Sequence, residues 1–91
     1  MKRNDLMAAT DRLRHSLLAG DPELGFLERE KWALVGECER FGNDLCNAAT
    51  ARNRRLGAVV YTAREGIDKL AMLQRRAGAY YRAYRSIRRA A

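Results

Sequence analysis

The chain has 91 residues, 47% of them hydrophobic and 32% charged, with one Pro, two Cys and a net charge of +7. This length is one domain with a small core, and the balance of apolar and charged residues excludes global disorder. No apolar run reaches the ~18 residues of a membrane span, and the N-terminal Met1-Lys2-Arg3-Asn4-Asp5 is not followed by a signal-type apolar stretch, so the expected location is cytoplasmic.

Residues 1–46 carry seven basic and nine acidic side chains, whereas 47–91 carry eleven basic and only Glu65 and Asp68 as acids. An acidic half that folds back on a basic half suits antiparallel helices with a cationic end exposed.

Along the chain, apolar or small residues recur at spacings of three and four. The first series is Leu6, Thr10, Leu13 and Leu17, followed by Leu24, Leu27, Leu34, Cys38 and Phe41. The second is Leu45, Ala48, Leu56, Val59, Ala63, Ile67, Leu70 and Leu73. This is a stripe along one helical face, close to a heptad seam, and nothing alternates at period two over a strand's length. The expected fold is all-α, a long antiparallel helical hairpin or a three-helix bundle. A single domain spans 1–91.

Two steps interrupt the pattern. Gly20-Asp21-Pro22 supplies a left-handed cap, an N-cap and a first-turn Pro. Phe41-Gly42-Asn43-Asp44 supplies a second end and start. Reversal at 42–44 gives arms 4–41 and 44–77 of similar length, each covering the other's stripe, and is the favoured reading. A further turn at 20–22 gives three helices. A turn at 20–22 alone leaves a long stripe bare and demands a homodimer. Gly57, Gly66 and Gly78 fall inside the helical pattern at ~1 kcal/mol each relative to Ala. They are simply tolerated, or at Gly57 and Gly66 they make room for another helix.

Residues 77–91 form a basic tail, a helical extension or a partly disordered arm. Arg75, Arg76, Arg82, Arg85, Arg88 and Arg89 have no acid among them, and Tyr80, Tyr81 and Tyr84 are interleaved. Arginines contact phosphates and tyrosines stack on bases, which makes nucleic-acid binding through this Arg/Tyr-rich segment the alternative function. No recognition helix or RNA-binding aromatic signature accompanies it. Trp32 falls off the seam and is expected to pack at the core or its edge.

Nothing in the sequence points to catalysis. His15 is the only histidine, four residues after Asp11, a spacing that usually makes a surface pair. There is no phosphate-cradling glycine loop, nucleophile elbow or zinc spacing, and Cys38 and Cys46 are expected to be reduced packing residues. No cofactor or metal is implied. Arg64-Glu65-Gly66-Ile67-Asp68-Lys69-Leu70, with Leu73 and Arg75-Arg76, resembles the opening helix of all-helical chorismate mutases. In that family later helices complete the pocket, and only fifteen residues follow Arg76 here.

Two stretches together resemble flagellar export chaperones of the FlgN type. One is Leu17-Leu18-Ala19-Gly20-Asp21 with Leu24, Glu30-Lys31 and Leu34. The other is Asn53-Arg54-Arg55-Leu56-Gly57-Ala58-Val59-Val60, running on to Ala63, Ile67 and Leu70, similar to the start of that family's second long helix. The Tyr-rich basic end from Tyr80 to Arg85 is similar too. The chain departs from the family in having Leu56 where many members carry a second Asn. The resemblance implies a bacterial, non-enzymatic binding protein that holds the C-terminal amphipathic helix of a hook–filament junction protein. It implies a partner-binding groove on the second helix from Leu56, Val59, Val60, Ile67, Leu70 and Leu73. Val60, beside the seam, is the best placed to touch a partner rather than the core. Arg52, Arg55, Arg64 and Arg75 would steer an acidic partner.

Overall fold

The computed structural model describes residues 2–19, 26–48, 51–57 and 59–90. Those residues form four helices and no strand: α1 (Arg3–Leu18), α2 (Phe26–Asn47), the short α3 (Ala51–Arg55) and α4 (Ala63–Ala90). The molecule is elongated, 52 × 21 × 16 Å.

α1, α2 and α4 pack on one another as a three-helix bundle, the second of the two expected architectures. α1 and α2 are antiparallel: Met7 lies by Cys46 and Arg14 by Glu39 along their shared groove. α2 and α4 are antiparallel too, with Leu27 beside Tyr80 and Phe41 near Lys69. α1 and α4 run alongside in the same sense, as the pairs Leu6–Gly66 and Ser16–Tyr81 show.

The core is the stripe read from the sequence, with one change of register. From α1 it takes Leu6, Thr10 and Leu17, and from α2 Leu27, Leu34, Val35, Cys38, Phe41 and Leu45. From α4 it takes Leu70, Leu73, Ala77 and Tyr80, preceded by the buried Gly66. Ile67 is the adjacent position and points partly outward. Gly66 lies close against α1: a Cβ there would stand 2.8 Å from Leu6 Cδ1, so the Leu6 side chain would have to shift. Of the two readings of this glycine, close approach of another helix is the one observed.

The favoured reversal at 42–44 is corrected. α2 runs unbroken through Phe41-Gly42-Asn43-Asp44 to Asn47. Phe41 and Leu45 are both buried on the α2 stripe. Burying two such side chains yields ~1.5–3 kcal/mol each, which outweighs the ~1 kcal/mol that Gly42 costs in a helix. The reversal comes later, through α3 and the segment that crosses from it to α4. Gly57 ends α3 with φ 89°, its N–H bonded to the Arg54 carbonyl at 3.2 Å. Glycine enters that left-handed region without a Cβ penalty. No atom lies within 4 Å of where its Cβ would be, so Gly57 makes room for no other helix. The Gly20-Asp21-Pro22 step lies outside the described residues. α1 and α2 flank it and pack antiparallel, so the chain also reverses between Leu18 and Phe26.

Residues 59–62 are non-helical, and α4 then opens on a capping box. The Thr62 N–H donates to Glu65 Oε1 and the Glu65 N–H donates to Thr62 Oγ1, each at 3.1 Å. Residues 77–90 of the tail lie in this helix. α4 is continuous to Ala90, and Tyr81, Ala83, Tyr84 and Ile87 pack against the core.

Candidate partner-binding surface

Five large apolar side chains are exposed among the described residues. Four of them fall within twelve positions of one another: Leu56 (75%), Val59 (51%), Val60 (56%) and Ile67 (38%). These are four of the six groove residues expected from the sequence. The other two, Leu70 and Leu73, are closed inside the bundle and offer no surface. The six therefore do not make one groove on a continuous second helix. Leu56 sits in the turn after α3, Val59 and Val60 in the crossover, and only Ile67 on α4. In the stretch Asn53–Val60 that resembles the start of a long helix, 53–55 lie in α3, 56–57 in the turn after it, and 59–60 in the non-helical crossover.

The crossover is fixed from below by Tyr61. Its ring meets Phe41 edge-on, with centroids 5.2 Å apart and planes at 87°. Its hydroxyl donates to Asp44 Oδ2 at 3.3 Å. Burial, then the Asp44 carboxylate, pushes the Tyr61 phenol above its ordinary range. Val59 and Val60, in the same non-helical stretch, are both exposed. At the start of α4, the hydrogen bonds from Thr62 hold the Glu65 carboxyl below its usual range.

The charge around this surface is basic. Arg52, Arg54 and Arg55 on α3 are exposed, and no acid occurs between Asp44 and Glu65. Arg64 is exposed too, with a 3.9 Å contact to Asp68 that both side chains make in open solvent. Three of the four steering arginines, Arg52, Arg55 and Arg64, thus flank the apolar residues. Arg75 does not. It lies eleven residues along α4 from Arg64, ~16 Å at 1.5 Å per residue.

Other marked residues take structural places. Arg76 bridges α4 to α2, with Nη1 2.8 Å from Glu37 Oε2 and Nη2 3.2 Å from Glu30 Oε1. The bond to Glu37 chiefly holds this guanidinium in its charged form. Here the acidic half of the chain meets the basic half. Cys38 is buried and Cys46 exposed, and both are free. Burial, with Glu37 second, raises the Cys38 thiol. Trp32 is half exposed, with Lys31 Nζ 5.4 Å from its ring centroid, and so covers less of the core edge than expected. Lys31 itself is buried, a position the apolar pattern did not mark. His15 Nδ1 lies 2.9 Å from the Asp11 carbonyl on an exposed face of α1. Among the described residues, no group of three or more His, Cys, Asp or Glu is arranged to hold a metal ion. No described helix is long and apolar enough to cross a membrane.

No family model matches this chain, and neither a curated protein nor a solved structure does.

Proposed function

We propose that this protein is a non-enzymatic binding protein that holds an acidic amphipathic helix of a partner against the α3–α4 crossover. The observation that carries the reading is the exposure of Leu56, Val59, Val60 and Ile67 beside a core that buries Leu70 and Leu73. Isolated exposed apolar residues are ordinary, but four within twelve positions, interspersed in the sequence with the exposed Arg52, Arg55 and Arg64, suit an apolar partner with acidic flanks. A helix presents such a face at i, i+3, i+4 and i+7. Arg52, Arg55 and Arg64 would then set approach and orientation, and the apolar side chains would supply affinity.

Within this reading the FlgN-type resemblance suggests the class of partner. An export substrate of the hook–filament junction would be kept from early assembly by occupation of its C-terminal helix. The mechanism needs no covalent step: it shields apolar surface until release.

The test uses a synthetic amphipathic peptide of about 18 residues, ~27 Å as a helix, with a Leu face and a Glu face. Its twin carries Lys in place of Glu. Binding is followed by fluorescence anisotropy with the wild-type chain and with Val60→Asp. The expected result is preference for the Glu-faced peptide and at least a tenfold loss on Val60→Asp, at an unchanged melting temperature. Equal binding of both peptides, or binding untouched by Val60→Asp, contradicts the proposal.

A further inference from the structure

α4 carries a second surface, independent of the crossover. At 100° per residue, its core positions Gly66, Leu70, Leu73, Ala77 and Tyr80 share one sector. Arg75, Arg82 and Arg89 fall in the opposite one, and Arg85 falls on its flank, about 100° from the middle of the core sector. All four are exposed, and none forms an ion pair with a described residue. Arg82, Arg85 and Arg89, with Ser86, line one shallow surface recess. No acid occurs after Asp68. The row from Arg75 to Arg89 is ~21 Å long, and Arg75, Arg82 and Arg89 repeat every ~10.5 Å.

Arg76 shows the contrast. One residue away from Arg75, it turns to α2 and is held by Glu30 and Glu37. Holding the bundle together therefore accounts for Arg76 and leaves the outward four unused.

The tyrosines decide the kind of ligand. Stacking on single-stranded bases needs exposed aromatic faces. Here Tyr80 is buried, the Tyr81 hydroxyl is 2.6 Å from Ser16 Oγ on α1, and Tyr84 lies 6.2 Å from the Tyr80 ring. They pack against the bundle, Tyr80 buried and Tyr81 and Tyr84 half-buried, whereas the four arginines are exposed. The apolar face of α4 is also spent inside the protein. The helix therefore cannot lie in a lipid interface with an apolar side down. What remains is a row of guanidiniums from Arg75 through Arg82 to Arg89 with Arg85 on its flank, a donor set that fits phosphate oxygens.

We propose that the outward face of α4 binds the phosphate backbone of duplex nucleic acid through Arg75, Arg82, Arg85 and Arg89, without reading base sequence. Neutralising about four phosphates releases their counterions, so the logarithm of affinity should fall with the logarithm of salt at a slope near −3.6.

Anisotropy titrations with two unrelated 30-base-pair DNA duplexes, from 50 to 200 mM salt, test this. Matched single strands and phosphatidylserine vesicles run alongside. Equal affinity for both duplexes and a slope of that size are expected. In R75Q/R82Q/R85Q/R89Q the slope should approach zero, with circular dichroism unchanged. The pairs R75Q/R82Q and R85Q/R89Q should each remove about half of it, near 1.8, and keep the result readable if the fourfold variant does not fold. Absence of duplex binding at 50 mM salt overturns the proposal, as does a slope unaffected by the substitutions. Tighter binding of the single strand would return the tyrosines to the ligand. Vesicle binding without duplex binding would assign the face to a lipid surface.

Discussion

Tyr61 holds the outward-facing apolar residues in place, and its chemistry makes that contact measurable. Ionising it would put a phenolate against Asp44 and beside Phe41. The fold therefore raises its pKa, burial being the first cause and Asp44 the second. A folded-state value above the unfolded one means that the stabilisation is complete below about pH 10, the ordinary phenol value. It is lost as pH rises through the folded-state value, because the unfolded chain gives up the proton first. A tyrosine absorbance titration should show a late component that disappears in Tyr61→Phe, and alkaline destabilisation should begin near pH 10. A late component that survives Tyr61→Phe would place the perturbed phenol elsewhere. Glu65 behaves with the opposite sign: its carboxyl is held low by Thr62, so its contribution is present above the ordinary Glu range and fades as pH falls through its folded value.

At the scale of elements, α2 decides the architecture. Local chemistry at Gly42-Asn43-Asp44 reads as a turn, yet Phe41 and Leu45 keep the helix intact by burial. Gly42 is then a helix-interior glycine with open space where its Cβ would be. Gly42→Ala should therefore stabilise the protein by ~0.5–1 kcal/mol in denaturant unfolding. A reversal at that residue would instead make the substitution destabilising. The stripe was legible in the sequence because period and burial agree from Leu6 to Leu17, from Leu27 to Leu45 and again from Leu70. It misled between Ala48 and Ile67, where apolar residues keep helical spacing but the chain leaves the helix. Two local signals mark that departure: Gly57, which takes a positive φ, and Thr62-Ala63-Arg64-Glu65, a capping box that starts α4. Of the six expected groove residues, Leu56, Val59, Val60 and Ile67 are exposed because they are off the helix or beside its core register, and Leu70 and Leu73 are buried on it.

The whole molecule divides its charge as the sequence foretold, with α2 acids meeting α4 through Arg76. It then leaves two outward surfaces, an apolar end at the crossover and a basic row along α4. Cutting off residues 77–91 would not separate their functions, since Ala77 and Tyr80 belong to the core. Point substitutions on the exposed side chains are the cleaner instrument. The central claim is that the crossover is a binding surface rather than unfinished core. Amide chemical-shift mapping of the intact chain, as the Glu-faced peptide is added, tests it most directly. The account predicts perturbations centred on Leu56, Val59, Val60 and Ile67, extending to Arg52, Arg55 and Arg64 and sparing Arg82–Arg89. Perturbations centred on the outer face of α4, or none at these four residues when the peptide is bound, would contradict it.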